Sequence, residues 1–259
     1  RDVLGSRGLG DVYKRQFHDP APKTFTSILE WCKKKSYRFI TLQECYAILS
    51  GKIRQEGKVA YLSFDDGWQS NLNLIPIIDK YQAPITIFVS IDPLLSGNFW
   101  WEYALADGIE LRNKMKLMSY KKFVSSLESL KKKYSLERSV LTEQELVKIA
   151  SHPLVSIQSH TMSHPILTNC DDEILSYELN SSKAYLENLL HHKIEAFSYP
   201  NGNFSNREIE AVKKAGYKMA FTTEYIPIQI NHTNLYRIPR MAMNTYCLLY
   251  TSPSPRDPK

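Results

Sequence analysis

The chain has 259 residues, of which 43% are hydrophobic and 23% charged, as is ordinary for one large or two small globular domains. It contains no run of about eighteen apolar residues, the length that a membrane span requires, so no transmembrane segment is predicted. The formal net charge is +6.

Both termini differ from the interior. Residues 1–16 and 247–259 match no periodic pattern and resemble translated adapter sequence, so we expect them to be non-native, with natural tails as the alternative. The first carries four cations against two anions and the second two against one, which leaves +3 for the interior. That charge is too mild to indicate a nucleic-acid or anionic-membrane partner. With the native N-terminus expected to be missing, the sequence does not decide between a cytoplasmic and a cell-envelope location.

The four cysteines are Cys32, Cys45, Cys170 and Cys247. No two of them have the CxxC spacing, so neither a zinc ribbon nor a disulfide framework is predicted. We expect buried free thiols.

Apolar periodicity and turn signals predict alternating helices and strands along the interior. Helices are expected at about 23–35, 42–51, 71–81, 113–134, 142–150, 171–190 and 207–217. Strands are expected at 39–40, 58–64, 85–90, 155–160, 196–202 (ending in a Pro-Asn-Gly turn), 219–223 and 236–243, and a loop with clustered aromatic residues at 91–112. This alternation indicates an α/β fold with a mostly parallel sheet, open or closed into a barrel.

The strand at 58–64 ends in two adjacent carboxylates, Asp65 and Asp66, followed by Gly67. In α/β folds the carboxyl ends of the strands are where ligands bind. Adjacent residues at a strand end point in different directions, so one carboxylate could bind a metal while the other takes a proton. A plain Asp-Gly turn is the alternative.

A second strand ends in SHTMSH, which places His160 and His164 four residues apart. If the chain turns helically after the strand, both imidazoles lie on one face and can bind one metal ion. Two histidines, a carboxylate from a neighbouring strand end and an open position form the ligand set of a catalytic zinc-type site. Such an ion lowers the pKa of water and polarises a carbonyl. The ligand set suits Zn²⁺, Co²⁺ or Ni²⁺.

Three stretches, SFDDG (63–67), SHTMSH (159–164) and FSYPNG (197–202), resemble in order and spacing the first three motifs of the polysaccharide deacetylases. This is the NodB-homology family, or carbohydrate esterase family 4, and the third motif is of the Tyr-Pro-x-Gly kind. The similarity extends over residues 17–246. It implies a deformed (β/α) barrel and metal-dependent hydrolysis of N-acetyl groups on an N-acetylglucosamine-type polysaccharide. We therefore expect a deacetylase domain at 58–246, preceded by a helical lead-in at 17–57.

The resemblance also implies roles for individual residues. Asp65 would be the general base, and Asp66, His160 and His164 would bind the metal, with Zn²⁺ expected and Co²⁺ or Ni²⁺ as alternatives. The backbone N–H of Asn201 would lie at the oxyanion position, where the family more often has tyrosine. A backbone donor does not depend on the side chain, so this difference is tolerable.

Two features depart from the family pattern. The third motif often begins with an arginine that pairs with the base, whereas this chain has Ser198 there. Arg240 is the candidate replacement, and a surface arginine flanking a strand is the alternative. The late Leu-x-His motif, which supplies an acid histidine, has no clear counterpart, and His232 fits it poorly.

Candidate contacts with the sugar are Trp68, Trp101, Tyr199 and Pro200. Aromatic faces suit pyranose rings, but core or loop packing is an equal alternative for the two tryptophans. The predicted partner is a polysaccharide or oligosaccharide, and the sequence gives no oligomeric state. Two rival functions remain open, namely a catalytically impaired glycan-binding barrel and an O-acetyl esterase or non-sugar amide hydrolase with the same metal site.

Overall fold

A computed structural model describes residues 22–224, 226 and 234–241. The helices are α1 (Pro22–Lys34), α2 (Leu42–Leu49), α3 (Ile75–Tyr81), α4 (Ile91–Ser96), α5 (Trp100–Asp107), α6 (Ile109–Met115), α7 (Tyr120–Lys133), α8 (Glu143–Ala150), α9 (Asp172–Leu190) and α10 (Asn206–Lys214). The strands are β1 (Tyr37–Ile40), β2 (Lys58–Phe64), β3 (Ile85–Val89), β4 (Val155–Ser159), β5 (Ala196–Ser198) and β6 (Met219–Phe221). Short 3₁₀ turns lie at Gln69–Leu74, Leu167–Asn169 and Pro200–Gly202.

The six strands form one sheet in the order β1 to β6, and every pairing is parallel. The pairing of β3 with β4 runs from Ile85–Val155 to Val89–Ser159, whereas β4 and β5 pair only at Ser159 and Phe197. All of β3 is buried, as expected for a parallel strand with both faces covered. Because the strands are parallel, the carboxyl ends of β2, β4 and β5 face the same way.

The sheet curls until its distant strands meet. Tyr61 of β2 stacks on Phe221 of β6 with 5.2 Å between ring centroids, and Phe88 of β3 lies 5.4 Å from the same ring. In a flat sheet, four spacings of about 4.8 Å would separate β2 from β6 by roughly 19 Å. The strands therefore form a curled half-barrel filled by aromatic rings, which confirms the predicted deformed (β/α) barrel.

The main hydrophobic core lies between the sheet and the surrounding helices. Leu29 of α1, Ile78 of α3, Leu146 of α8 and Leu179 of α9 are wholly buried in it. Residues 22–57 belong to this body, because α1 enters the core and β1 pairs with β2 over four residues.

Several predicted elements are confirmed at their ends. Thr41 and Thr142 begin α2 and α8 with reciprocal capping boxes, and the Asp171 side chain accepts a hydrogen bond from the first turn of α9. The stretch at 71–81 instead divides into a 3₁₀ turn and α3. Pro76 lies in the first turn of α3, where its missing N–H is not needed.

The prediction of a loop at 91–112 is wrong. This stretch forms α4, α5 and part of α6, because Phe99, Trp100 and Trp101 pack as the centre of a second hydrophobic cluster, joined by Trp68. The single helix predicted at 113–134 is also wrong, since residues between α6 and α7 interrupt it.

The strand predicted at 236–243 is reduced to one bridge, between Ile238 and Phe221, and residues 242–243 lie outside the described part. Both terminal tails, His232 and Cys247 also lie outside it. The other three cysteines are buried and free, as predicted. In the described residues, no helix has the length and apolar character needed to span a membrane.

Candidate active site

The carboxyl ends of β2, β4 and β5 bring the three sequence motifs together. Four residues of these motifs other than glycine are in the left-handed backbone region, with φ of 80° at Asp66, 74° at Thr161 and 55° at both His164 and Asn201. Residues other than glycine seldom adopt this conformation, and it costs of order 1–3 kcal/mol where it occurs. Such strain concentrates at sites where the backbone must place side chains for a purpose.

Asp66, His160 and His164 converge on one buried point. The Nε2 atoms of the two histidines lie 3.1 Å apart, and each lies 3.5 Å from Oδ1 of Asp66. Three donor atoms held tetrahedrally about 2.0–2.2 Å from one ion would lie roughly 3.4 Å from one another. The group therefore has the spacing that a tetrahedral divalent ion requires.

The two histidines converge by a different route from the helical turn that the sequence analysis considered. The loop after β4 is not helical, and Thr161 and His164 both turn it through the left-handed region. The hydroxyl of Thr161 accepts a hydrogen bond from the backbone N–H of His164 at 3.0 Å. A compact loop thus performs what four-residue helical spacing was expected to do.

Hydrogen bonds from neighbouring groups orient two of the three side chains, His160 and Asp66. Nδ1 of His160 donates to the carbonyl of Ser198 at 2.7 Å, so that Nε2 carries the free lone pair. Trp68 Nε1 donates to Oδ2 of Asp66 at 3.0 Å, which leaves Oδ1 for the imidazoles. Such outer partners set the tautomer and orientation of metal ligands. Burial lowers the pKa of His164 to about 3, so this imidazole is neutral, as a ligand must be.

Asp65 faces a different partner from its neighbour. Its two oxygens accept hydrogen bonds from Nη1 and Nη2 of Arg240, both at 2.7 Å, and Arg240 also donates to the hydroxyls of Ser63 and Ser198. Burial favours the neutral carboxyl, but the charge and hydrogen bonds of Arg240 outweigh it and hold the pKa of Asp65 below its usual range. The Asp65 side chain keeps 28% of its exposure, so it remains accessible.

Arg240 is therefore not a surface arginine, because its side chain is only 15% exposed and engages Asp65 with both terminal nitrogens. Ser198, at the position where the family often has arginine, lies in the same cluster. Its hydroxyl is 3.3 Å from Asp65.

Asn201 lies in the 3₁₀ turn that follows β5, and it is exposed. Its side-chain oxygen accepts a hydrogen bond from Nζ of Lys116 at 3.1 Å. Lys116 follows α6, so the helical region at 91–133 contacts the third motif directly.

The four candidate sugar contacts pack against the site. Trp68 and Trp101 are 9% and 8% exposed. The rings of Trp101 and His164 pack edge to face, with 4.7 Å between their centroids. Tyr199 is wholly buried and donates its hydroxyl to the carbonyl of Tyr236, and Pro200 is also buried. All four side chains are buried, and contact between any of them and a sugar stays a prediction.

Two groups that the sequence did not predict hold residues 160–164, the histidine loop. Trp100 Nε1 donates to the carbonyl of His164 at 3.0 Å. Glu178 of α9 is wholly buried and binds the backbone of the same loop. The available signal was a glutamate on the buried stripe of α9, next to Leu175 and Leu179.

The fold and the site together define a curled (β/α) barrel with a candidate metal centre and an Asp–Arg pair at its mouth. The family model described as polysaccharide deacetylase matches residues 52–220, and the chain belongs to this family.

Two curated relatives show how far the similarity reaches. The protein YxkH of Bacillus subtilis is 25% identical over 203 residues, covering 78% of this chain and 58% of its own length. The poly-β-1,6-N-acetyl-D-glucosamine N-deacetylase of Staphylococcus aureus is 26% identical over 222 residues, covering 85% of this chain and 66% of its own length. The chain thus spans less than two thirds of these relatives.

Solved structures share the fold. The Streptococcus pyogenes deacetylase PplD, in complex with acetate, superposes with a TM-score of 0.62 at 24% identity, covering 90% of this chain and 87% of its own. IcaB from Ammonifex degensii superposes with the same TM-score at 17% identity, covering 87% of this chain and 85% of its own.

Proposed function

We propose that this protein is a metal-dependent hydrolase that removes N-acetyl groups from an N-acetylglucosamine-type polysaccharide. The observation that carries the proposal is the buried Asp66–His160–His164 group, which lies beside an accessible carboxylate, Asp65. The substrate class follows from the Staphylococcus aureus relative, whose name specifies poly-β-1,6-N-acetyl-D-glucosamine.

The metal would be held by Oδ1 of Asp66 and by Nε2 of His160 and His164. Zn²⁺ is the ion we expect, and Co²⁺ and Ni²⁺ suit the same donors. When bound, the ion polarises the acetyl carbonyl and lowers the pKa of water.

The remaining chemistry belongs to the chain itself. Asp65 takes a proton from the attacking water, and its ion pair with Arg240 keeps it ionised and fixed in orientation. The backbone N–H of Asn201 donates to the carbonyl oxygen as that oxygen gains negative charge. The water oxygen bonds to the acetyl carbon, and the proton that Asp65 took passes to the amide nitrogen as the C–N bond breaks, so that acetate departs and a free amine remains on the sugar.

Acetate release from glycan oligomers tests the proposal. Zn²⁺-loaded protein should release acetate from β-1,6- or β-1,4-linked N-acetylglucosamine oligomers, and a chelator should stop the reaction. Asp65→Asn should reduce the rate by about 10²–10⁴-fold, the usual contribution of a general base. Asp79→Asn is the matched control, since Asp79 is a half-exposed carboxylate paired with His152, and it should keep full activity.

Two results would replace the proposal with one of its rivals. A protein that contains stoichiometric metal and binds the oligomers without releasing acetate would be a glycan-binding barrel. Faster turnover of O-acetylated sugars than of their N-acetyl counterparts would identify an esterase.

A further inference from the structure

Glu178 is a glutamate with no solvent exposure, in the N-terminal half of the long helix α9. A buried carboxyl group is costly unless hydrogen bonds satisfy it, so its position demands a reason. The proposed chemistry does not use this side chain.

Both oxygens of Glu178 bind the loop between the two candidate histidine ligands. Oε2 accepts hydrogen bonds from the backbone N–H groups of Met162 and Ser163, at 2.8 and 2.9 Å. Oε1 accepts one from the hydroxyl of Ser163 at 2.5 Å and one from the hydroxyl of Tyr120 at 3.3 Å. The side chain therefore joins α9, the helical region at 91–133 and the histidine loop.

The loop needs such a partner because it belongs to neither a helix nor a strand. Met162 and Ser163 are both only 9% exposed, so their N–H groups would be buried without acceptors if Glu178 were absent. The carbonyls of Thr161 and Met162 are bound from the other side, by the N–H groups of Ile91 and Asp92. Together, Glu178 and the N–H groups of Ile91 and Asp92 bind the loop through its N–H and carbonyl groups and fix its left-handed turn at Thr161.

We propose that Glu178 is a positioning residue for the metal centre. Its side chain holds the loop so that His160 and His164 present their Nε2 atoms at metal-binding separation before an ion arrives. The inference rests on the proposed function, since it concerns the same metal site.

The role depends on an acceptor oxygen, and the negative charge is not required. Burial raises the pKa of Glu178 to about 7, so a proton on Oε1 is accessible near neutral pH. Oε2 accepts both backbone N–H groups in either protonation state. A glutamine can reproduce the protonated form, with its carbonyl oxygen toward the loop and its amide toward the two hydroxyls.

Zn²⁺ affinity, measured by competition with a chromophoric chelator, tests this role. Glu178→Met fills the same space without an acceptor and should weaken binding by about 10–100-fold, as is typical when an outer partner of a metal ligand is lost. Glu178→Gln should restore affinity to within about threefold of the wild type, because the glutamine carbonyl oxygen still accepts both backbone N–H groups. The visible absorption of bound Co²⁺, which reports ligand geometry, should change in the methionine variant and return in the glutamine variant.

Glu208→Met is the matched control. Glu208 is also wholly buried and accepts hydrogen bonds from the N–H and hydroxyl of a serine, Ser205, at the start of α10. This variant should lose stability yet bind Zn²⁺ with wild-type affinity. Equal weakening in Glu208→Met and Glu178→Met would show a general effect of destabilisation and would overturn the inference.

The other outcomes also decide. Wild-type affinity in Glu178→Met, or no recovery in Glu178→Gln, overturns the inference while leaving the proposed function intact. If Glu178→Met does not fold, Glu178→Asp replaces it, since a carboxylate one methylene shorter cannot reach both N–H groups, and unchanged Zn²⁺ affinity there would refute the role. A wild-type protein that binds neither Zn²⁺ nor Co²⁺ would overturn the proposed function itself.

Discussion

At the scale of single residues, two adjacent aspartates have opposite environments. Asp66 turns inward to two imidazoles and an indole N–H, whereas Asp65 meets a guanidinium from a residue 175 positions later in the sequence. The left-handed φ of Asp66 separates the two directions. The sequence predicted that both aspartates belong to the site, but only the folded chain shows which groups surround each carboxylate.

Arg240→Lys should reduce kcat by about 10²-fold with little change in KM. Lysine keeps the positive charge but cannot bind both oxygens of Asp65 in this way, so the proposed base loses its fixed orientation. Steady-state kinetics on a glycan oligomer would measure this. The matched control is Arg237→Lys, which alters an arginine paired with Glu224 at the surface and should leave kcat unchanged. Equal kcat in Arg240→Lys and the wild type would exclude an orienting role.

Glu178 should make the stability of the metal-free protein depend on pH. Its pKa in the folded state is about 7, raised by burial above the ordinary value of 4.5. The folded state then binds a proton that the unfolded state releases, so this stabilisation is complete below about pH 4.5 and is lost as pH rises through 7. A shift of this size corresponds to about 3 kcal/mol.

Urea unfolding of the wild type and Glu178→Gln, both with chelator, would measure the effect. Glutamine does not titrate, so the variant should gain up to about 3 kcal/mol relative to the wild type between pH 4.5 and pH 8. A difference between the two proteins that stays constant with pH would contradict a raised pKa.

At the scale of elements, the strands and capped helices were predictable, and the aromatic region was not. A continuous run of β-branched and aromatic residues predicts a strand such as β3. The Thr-x-x-Glu capping box predicts the start of α8. In α5 the aromatic residues Trp100, Trp101 and Tyr103 are buried together in the second hydrophobic cluster. Because bulky apolar residues occupy consecutive positions of this short helix, its sequence shows no clear amphipathic period.

The turn after β5 depends on Gly202. This residue has φ of 73°, and a Cβ there would lie 1.9 Å from the hydroxyl oxygen of Thr223. Gly202→Ala should therefore displace the turn that carries Asn201, whose backbone N–H is the proposed oxyanion donor. We expect kcat/KM to fall by at least about 10-fold, since small displacements of a reacting group are costly.

Gly51→Ala is the matched control for this turn, because Gly51 has the same φ of 73° but no atom within 4 Å of an added Cβ. Both variants should lose about 1–2 kcal/mol from the left-handed backbone, and only Gly202→Ala should lose activity. Full activity in Gly202→Ala would show that the position of this turn does not matter for the reaction.

At the scale of the whole molecule, a bound metal would tie the end of β2 to the loop after β4. Saturation at 100 times Kd would stabilise the fold by about 2.7 kcal/mol, which corresponds to roughly 5–10 °C in Tm for a chain of this size. Thermal unfolding with and without Zn²⁺ measures the shift. Asp66→Ala should abolish it, and Asp65→Asn, which leaves the proposed ligands intact, should retain it. Loss of the shift in both variants would contradict the division of roles between the two aspartates.

The sequence by itself determined the alternating α/β order, the three motifs at strand ends and the family. These properties are encoded locally, in the period of apolar residues and in short runs such as SFDDG and SHTMSH. The tertiary structure decided that Arg240 pairs with Asp65, that a left-handed loop rather than a helix joins the histidines, and that Glu178 holds that loop. Each of these depends on the curl of the sheet or on packing between distant segments, and neither leaves a periodic trace in the chain.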